Sequence, residues 1–234
     1  MKIKNTKGKL SKAIAFSTSG SVSTFPKATP LTPFDIFQHS LDRAQNLLRI
    51  HKEAHGEVSR PPAFLADAHR AAIVLAVSAL DAFIRTLVVE KIVAKIADQS
   101  QTVPQELKQQ AQELLGKDGL FDAARANDLG SRLEKAFRLK FEGKSFQGIK
   151  NIEDALYLIG HDKVFSKVAK SARVNEENLK SELAQFTKKR HIVAHCGDYD
   201  LTQTPPIENK ILKKNVKDCI KLVKLVATEI NKLR

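Results

Sequence analysis

Residues 71–85 read AAIVLAVSALDAFIR, and up to Leu80 the stretch offers almost no polar side chain to any side of a helix. A helix that is apolar nearly all round must be covered on several faces by other elements. It sits inside a longer segment, Ala63 to about Asp98, that contains neither Gly nor Pro. Ile73, Val77, Leu80, Ile84, Leu87 and Ile92 mark its main stripe at helical spacing. The rest of the chain has to supply the helices that bury it.

Working outward, the flanking segments have the required periodicity. Thr32 and Pro33 supply a cap and a first-turn proline for a helix from Phe34 to roughly His55, ending at Gly56. Pro61 and Pro62 then open the central helix. Asn175 caps a helix from Glu176 to about His195, which Gly197 stops. After Pro205 and Pro206 a last helix is expected from Ile207 to the terminus. Its seam is Leu212, Val216, Cys219, Val223, Val226, Ile230 and Leu233, spaced as in a coiled coil. Between Pro104 and Lys170 the pattern is broken by glycines and predicts shorter helices, Gln105–Leu115, Gly130–Phe141 and Ile152–Ile159. No alternating run of useful length argues for strands, and no repeat is present. The expectation is all-α: an up-and-down helical bundle over 32–234, with a helical insertion in its middle third.

Residues 1–31 read as a flexible basic tail. Lys2, Lys4, Lys7, Lys9, Lys12 and Lys27 meet no acidic residue before Asp35, and the apolar run Ala13–Phe16 is too short for a signal peptide. The whole chain of 234 residues carries a net charge of +13, which points to a polyanionic partner. Two cysteines, Cys196 and Cys219, exclude a disulfide framework and suit a reducing, cytoplasmic setting. No run of 18 uninterrupted apolar residues occurs, so no membrane span is expected. Tryptophan is absent and aromatics are few, which argues against a stacking platform for single strands.

Two anomalies point to chemistry. On the segment 176–195, Leu179, Leu183 and Phe186 define a buried face, and the same series continues to Arg190 and Val193. An arginine where a core residue belongs needs a partner or an anion, because a guanidinium stays charged. His191 and His195, four apart, lie on a neighbouring stripe and complete a compact cationic site. Lys188 and Lys189 beside them suit a helix C-terminus and are candidate substrate contacts. The second anomaly is the polar strip Ser78, Asp81 and Arg85 within the apolar central helix. Asp81 and Arg85 have the spacing of an internal ion pair. The other reading has Asp81 facing Arg190 or His195 across the bundle, with Arg85 and Ser78 as substrate contacts.

Other chemistries fit less well. His191, His195, Cys196 and Asp198 have metal-ligand character, but Ile192 stands where a zinc-protease helix carries its glutamate, so no metal is expected. No Gly-rich phosphate loop or nucleophile elbow is present, and no cofactor is called for. Lys210, Lys213, Lys214, Lys217, Lys221 and Lys224 mostly face away from the seam of the last helix. Such a face is solvated and also suits phosphate contact.

The run Arg190-His191-Ile192-Val193-Ala194-His195 resembles the R-x4-6-H motif of the HEPN superfamily, in which a polar residue follows the arginine. Ser78–Arg85 resembles the long helix of the RiboL-PSP type of HEPN domain. Phe146–Ile152 and Leu158–Gly160 are similar to that type's middle region, and His195–Asp198 to the turn after its motif. In layout the likeness covers roughly residues 34–234. It implies a metal-independent RNA endonuclease that cuts through the ribose 2′-OH, leaving a 2′,3′-cyclic phosphate and a 5′-OH. It further implies a homodimer with a composite cleft, action as a toxin or in phage defence, and regulation by an antitoxin or other protein. Within it, His195 would be the acid/base, Arg190 the charge stabiliser and His191 a positioning or substrate-contact residue, with Asp81 orienting one of them. One branch of the superfamily carries a modifiable tyrosine two residues after the motif histidine; here Gly197 stands there and Tyr199 comes later. An inactive HEPN-like module that binds RNA or protein is the alternative.

Overall fold

The computed structural model describes residues 30–55, 64–98, 100 and 102–233. Most of the basic tail, Gly56 and the Pro61–Pro62 break lie outside them. The described residues form eight helices: α1 (Pro33–His55), α2 (Phe64–Ala97), α3 (Gln105–Arg125), α4 (Leu129–Glu142), α5 (Ile149–Leu158), α6 (Val164–Ala172), α7 (Glu176–Cys196) and α8 (Lys213–Asn231). A two-residue antiparallel hairpin, β1 (Tyr199–Asp200) with β2 (Ile207–Glu208), lies between α7 and α8. The architecture is the all-α one that the periodicity predicts.

α2 is the axis. It packs against α1, α4, α5, α7 and α8, and Ile73, Val77, Leu80, Ile84, Val88 and Ile92 are fully buried along it. By length and composition Leu65–Ala97 is apolar enough to cross a membrane, with mean hydropathy 2.1 over its most apolar window. The uninterrupted-run criterion missed this because Ser78, Asp81 and Arg85 break the run. With 61% of that window buried in the bundle, its apolar character is accounted for as core.

The helix starts follow their caps. Thr32 and Asp35 form a reciprocal box: Asp35 Oδ2 accepts from the Thr32 amide at 2.9 Å and hydroxyl at 2.7 Å, while the Asp35 amide donates to Thr32 Oγ1 at 3.1 Å. Asn175 Oδ1 accepts from the Asn178 amide at 2.9 Å and opens α7. Phe37 of α1 meets Phe83 of α2 with ring centroids 5.5 Å apart. Burial of α8 runs through Val216, Cys219, Val223, Val226 and Ile230, and pushes the Cys219 thiol up to about 12.

Several expectations need correction. The seam of α8 begins at Val216, and Leu212 is 58% exposed. The cause is that Ile207–Glu208 pair with β1 and the helix starts only at Lys213. At Gly116 the backbone leaves helical values, with φ 70° and ψ 168°, so α3 is two helical stretches meeting at a kink: the first ends where the glycine predicts, and the second, up to Arg125, was not expected. α6 was not foreseen: nine residues are too few to display a period, although Val164, Phe165, Val168 and Ala169 are buried.

Candidate functional site

Burial falls away along α7. Leu179 and Leu183 are core, Phe186, Arg190 and Val193 are half-buried, and Ala194 and His195 are exposed. The helix therefore enters the bundle at its N-terminal half and presents its last two turns at the surface. Arg190 sits at that transition. Its Nε is buried and has no hydrogen-bond partner, so this donor lacks the satisfaction that buried polar groups normally find. His191 and His195, one turn apart, are both exposed, with ring centroids 4.5 Å apart at 45°. Where the helix leaves the core, Arg190 thus lies on its half-buried side and the two imidazoles on its exposed side. The guanidinium brings fixed positive charge, and imidazole is a side-chain type able to accept or donate a proton.

The end of the helix is built around Asp198, which the sequence reading placed in the turn after the motif without assigning it partners. Gly197 and Asp198 both have left-handed backbones, at φ 60° and 67°. Glycine tolerates this without a side-chain penalty, and aspartate is among the few others that visit it. The Asp198 amide donates to the Ile192 carbonyl at 3.3 Å. Its side chain is fully buried: Oδ2 accepts from Arg70 Nε of α2 at 2.9 Å, and Oδ1 from Lys189 Nζ at 2.5 Å. Arg70 also reaches Asp67 at 3.1 Å, Glu208 of β2 at 2.8 Å and the Asn209 carbonyl at 3.1 Å. The carboxylate partners hold the Arg70 guanidinium above its ordinary pKa against the opposing pull of desolvation.

These contacts bear on several expected roles. Lys189 is paired with Asp198, whereas Lys188 is exposed. Asp198 is engaged by two cations, so it is not open to a metal beside the histidines. Among the described residues no group of three or more His, Cys, Asp and Glu side chains is placed to hold one. Arg70 carried a signal after all: it falls three residues before Ile73 on the buried stripe, as Arg190 falls in the series from Leu179.

The strip on α2 is a separate construction. Asp81 Oδ2 accepts from Arg85 Nη2 at 2.9 Å, and its Oδ1 from the Phe146 amide. Arg85 also donates to the Glu142 carbonyl at 3.2 Å and the Lys144 carbonyl at 2.8 Å, with its guanidinium carbon 5.8 Å from the Phe146 ring centre. One Asp81 oxygen is thus engaged by Arg85 of its own helix and the other by the Phe146 amide in the loop joining α4 to α5. Asp81 therefore makes the internal pair with Arg85 that their spacing allows. Ser78 is half-buried on the same strip.

Residues 39–233 of the chain match the family model described as RiboL-PSP-HEPN. No curated protein and no solved structure matches it.

Proposed function

The chain belongs to the RiboL-PSP-HEPN family, and from that premise we propose that it is a metal-independent RNA endonuclease acting at Arg190 and His195. The observation that carries the reading is the half-buried Arg190, whose Nε has no partner, directly before the exposed His191–His195 pair on the same helix. A cation left unneutralised at a surface edge suits a phosphate.

The chemistry proceeds by transfer within the RNA. The ribose 2′-oxygen attacks phosphorus, the new P–O2′ bond forms, and the P–O5′ bond breaks. A base accepts the 2′-OH proton and an acid donates one to the departing 5′-oxygen, which imidazole and imidazolium supply. Arg190 stabilises the extra negative charge on the phosphorane. His195 is the acid/base, and His191 contacts or positions the substrate. Two copies about a two-fold axis bring two such motifs to one cleft and supply the second proton-transfer group. Lys188 and the exposed lysines of α8 add phosphate contacts.

The test uses purified protein, a defined RNA and EDTA. Cleavage to 2′,3′-cyclic phosphate and 5′-OH ends is expected. No cleavage, or 3′-OH ends, would rule out the mechanism. In cells, expression of the wild type should arrest growth while Arg190→Ala is tolerated; equal tolerance of both favours a binding module.

A further inference from the structure

Asp198 has every polar atom occupied, and its partners bracket the motif. Its amide holds the Ile192 carbonyl, and its own carbonyl accepts from the Asn209 amide and from Asn209 Nδ2, each at 2.8 Å. Its carboxylate joins Arg70 of α2 to Lys189, the residue before Arg190. The C-terminus of α7, the start of α2 and the segment after β2 therefore meet at one buried residue. We propose that Asp198 is a positioning residue that fixes the last turns of α7, so that Arg190, His191 and His195 keep one orientation toward substrate. The proposal rests on the reading of Arg190 and His195 as the cleavage site.

Packing alone does not set that orientation. The N-terminal half of α7 is anchored by Leu179, Leu183 and the Asn175 cap. The motif half has no fully buried apolar residue, only the half-buried Phe186, Ile192 and Val193. A buried ion pair is a weak source of net stability, since desolvation offsets its attraction, but it is selective for geometry. Three elements tied to one residue, two through its carboxylate and the third through its backbone carbonyl, admit one register. The left-handed backbone at Asp198 adds to this, because the chain turns there in a way few residues accept. Asp198 touches neither the imidazoles nor a reacting atom; it acts through Lys189 and the Ile192 carbonyl.

The test compares Asp198→Asn with Asp67→Asn, which removes only an exposed contact to Arg70. For Asp198→Asn, kcat on RNA should fall about 10- to 100-fold with KM changed less than about threefold, the size of effect seen when a group supporting a site is removed. Asp67→Asn should leave both unchanged. Independently of RNA, the His191 and His195 ring resonances and their titration midpoints should move in Asp198→Asn and stay in place in Asp67→Asn. Wild-type ring resonances and kcat in folded Asp198→Asn would overturn the proposal. If that variant does not fold, Lys189→Met keeps the Arg70–Asp198 pair and should move the same resonances; unmoved resonances there overturn it equally. If the wild type cuts no RNA, the cleavage reading fails, and the ring resonances still decide the positioning role.

Discussion

The polar strip on α2 and the cationic cluster on α7 are the same kind of irregularity with opposite outcomes. Each places an arginine among apolar residues on a helix that contributes to the core. On α2, Arg85 reaches one carboxylate and two carbonyls, and both oxygens of Asp81 are engaged. On α7, Arg190 keeps a buried Nε without a partner, and its histidine neighbours face solvent. A buried polar group that finds its complement in the chain is a fastener; one that does not is left for something outside the chain. The distinction lies in the partners and not in residue type, since an arginine serves in both.

That contrast breaks most readily at His195. His195→Ala should lower the RNA cleavage rate by about 10²- to 10⁴-fold, the usual weight of a positioned acid or base, with melting little changed. Arg190→Ala should cost about 10²- to 10³-fold, in line with removing one stabiliser of transition-state charge. On α2 the order reverses: Asp81→Ala should lower stability by about 2 kcal/mol in denaturant unfolding, because Arg85 and the Phe146 amide lose their acceptor. Its cleavage rate per folded molecule should stay at the wild-type value. If Asp81→Ala instead loses activity while remaining stable, the two regions are not different in kind.

Smaller effects sharpen the comparison at the two ends of α7. Lys188→Ala should raise KM for RNA and weaken its salt dependence by about one unit of log–log slope, as loss of one phosphate contact does, with kcat unchanged. At the other end, the hydrogen bond from Lys180 holds the Glu176 carboxyl below its ordinary value. Its contribution is therefore present at neutral pH and lost as pH falls from its ordinary value of about 4.5 through the depressed one. Glu176→Gln should be slightly less stable than wild type at pH 7 and converge with it once the pH falls below the depressed value, which melting curves taken into the acid range would reveal. Cleavage at pH 7 should not change.

How far these features could be read beforehand follows from the range of the forces involved. α1, α2, α7 and most of α8 declare themselves through stripes longer than two turns and through the caps at Thr32 and Asn175. The Arg190–His195 cluster declares itself because it interrupts such a stripe. The Asp198 clamp does not, because Arg70 lies 128 positions away and only the tertiary fold brings them together. The hairpin stayed hidden because two paired residues per strand have no period, and it displaced the start of α8 by consuming Ile207 and Glu208. Asp81 illustrates the remaining ambiguity: its spacing to Arg85 named one partner, while the Phe146 amide that fills its other oxygen is 65 residues away.

The most direct test of the central claim is the rate at which the full-length protein cuts a defined RNA in EDTA, measured side by side for wild type and His195→Ala. The account predicts 2′,3′-cyclic phosphate ends from the wild type and almost none from a His195→Ala protein that melts at the same temperature. Equal rates from the two proteins, or no cleavage by the wild type, would contradict it.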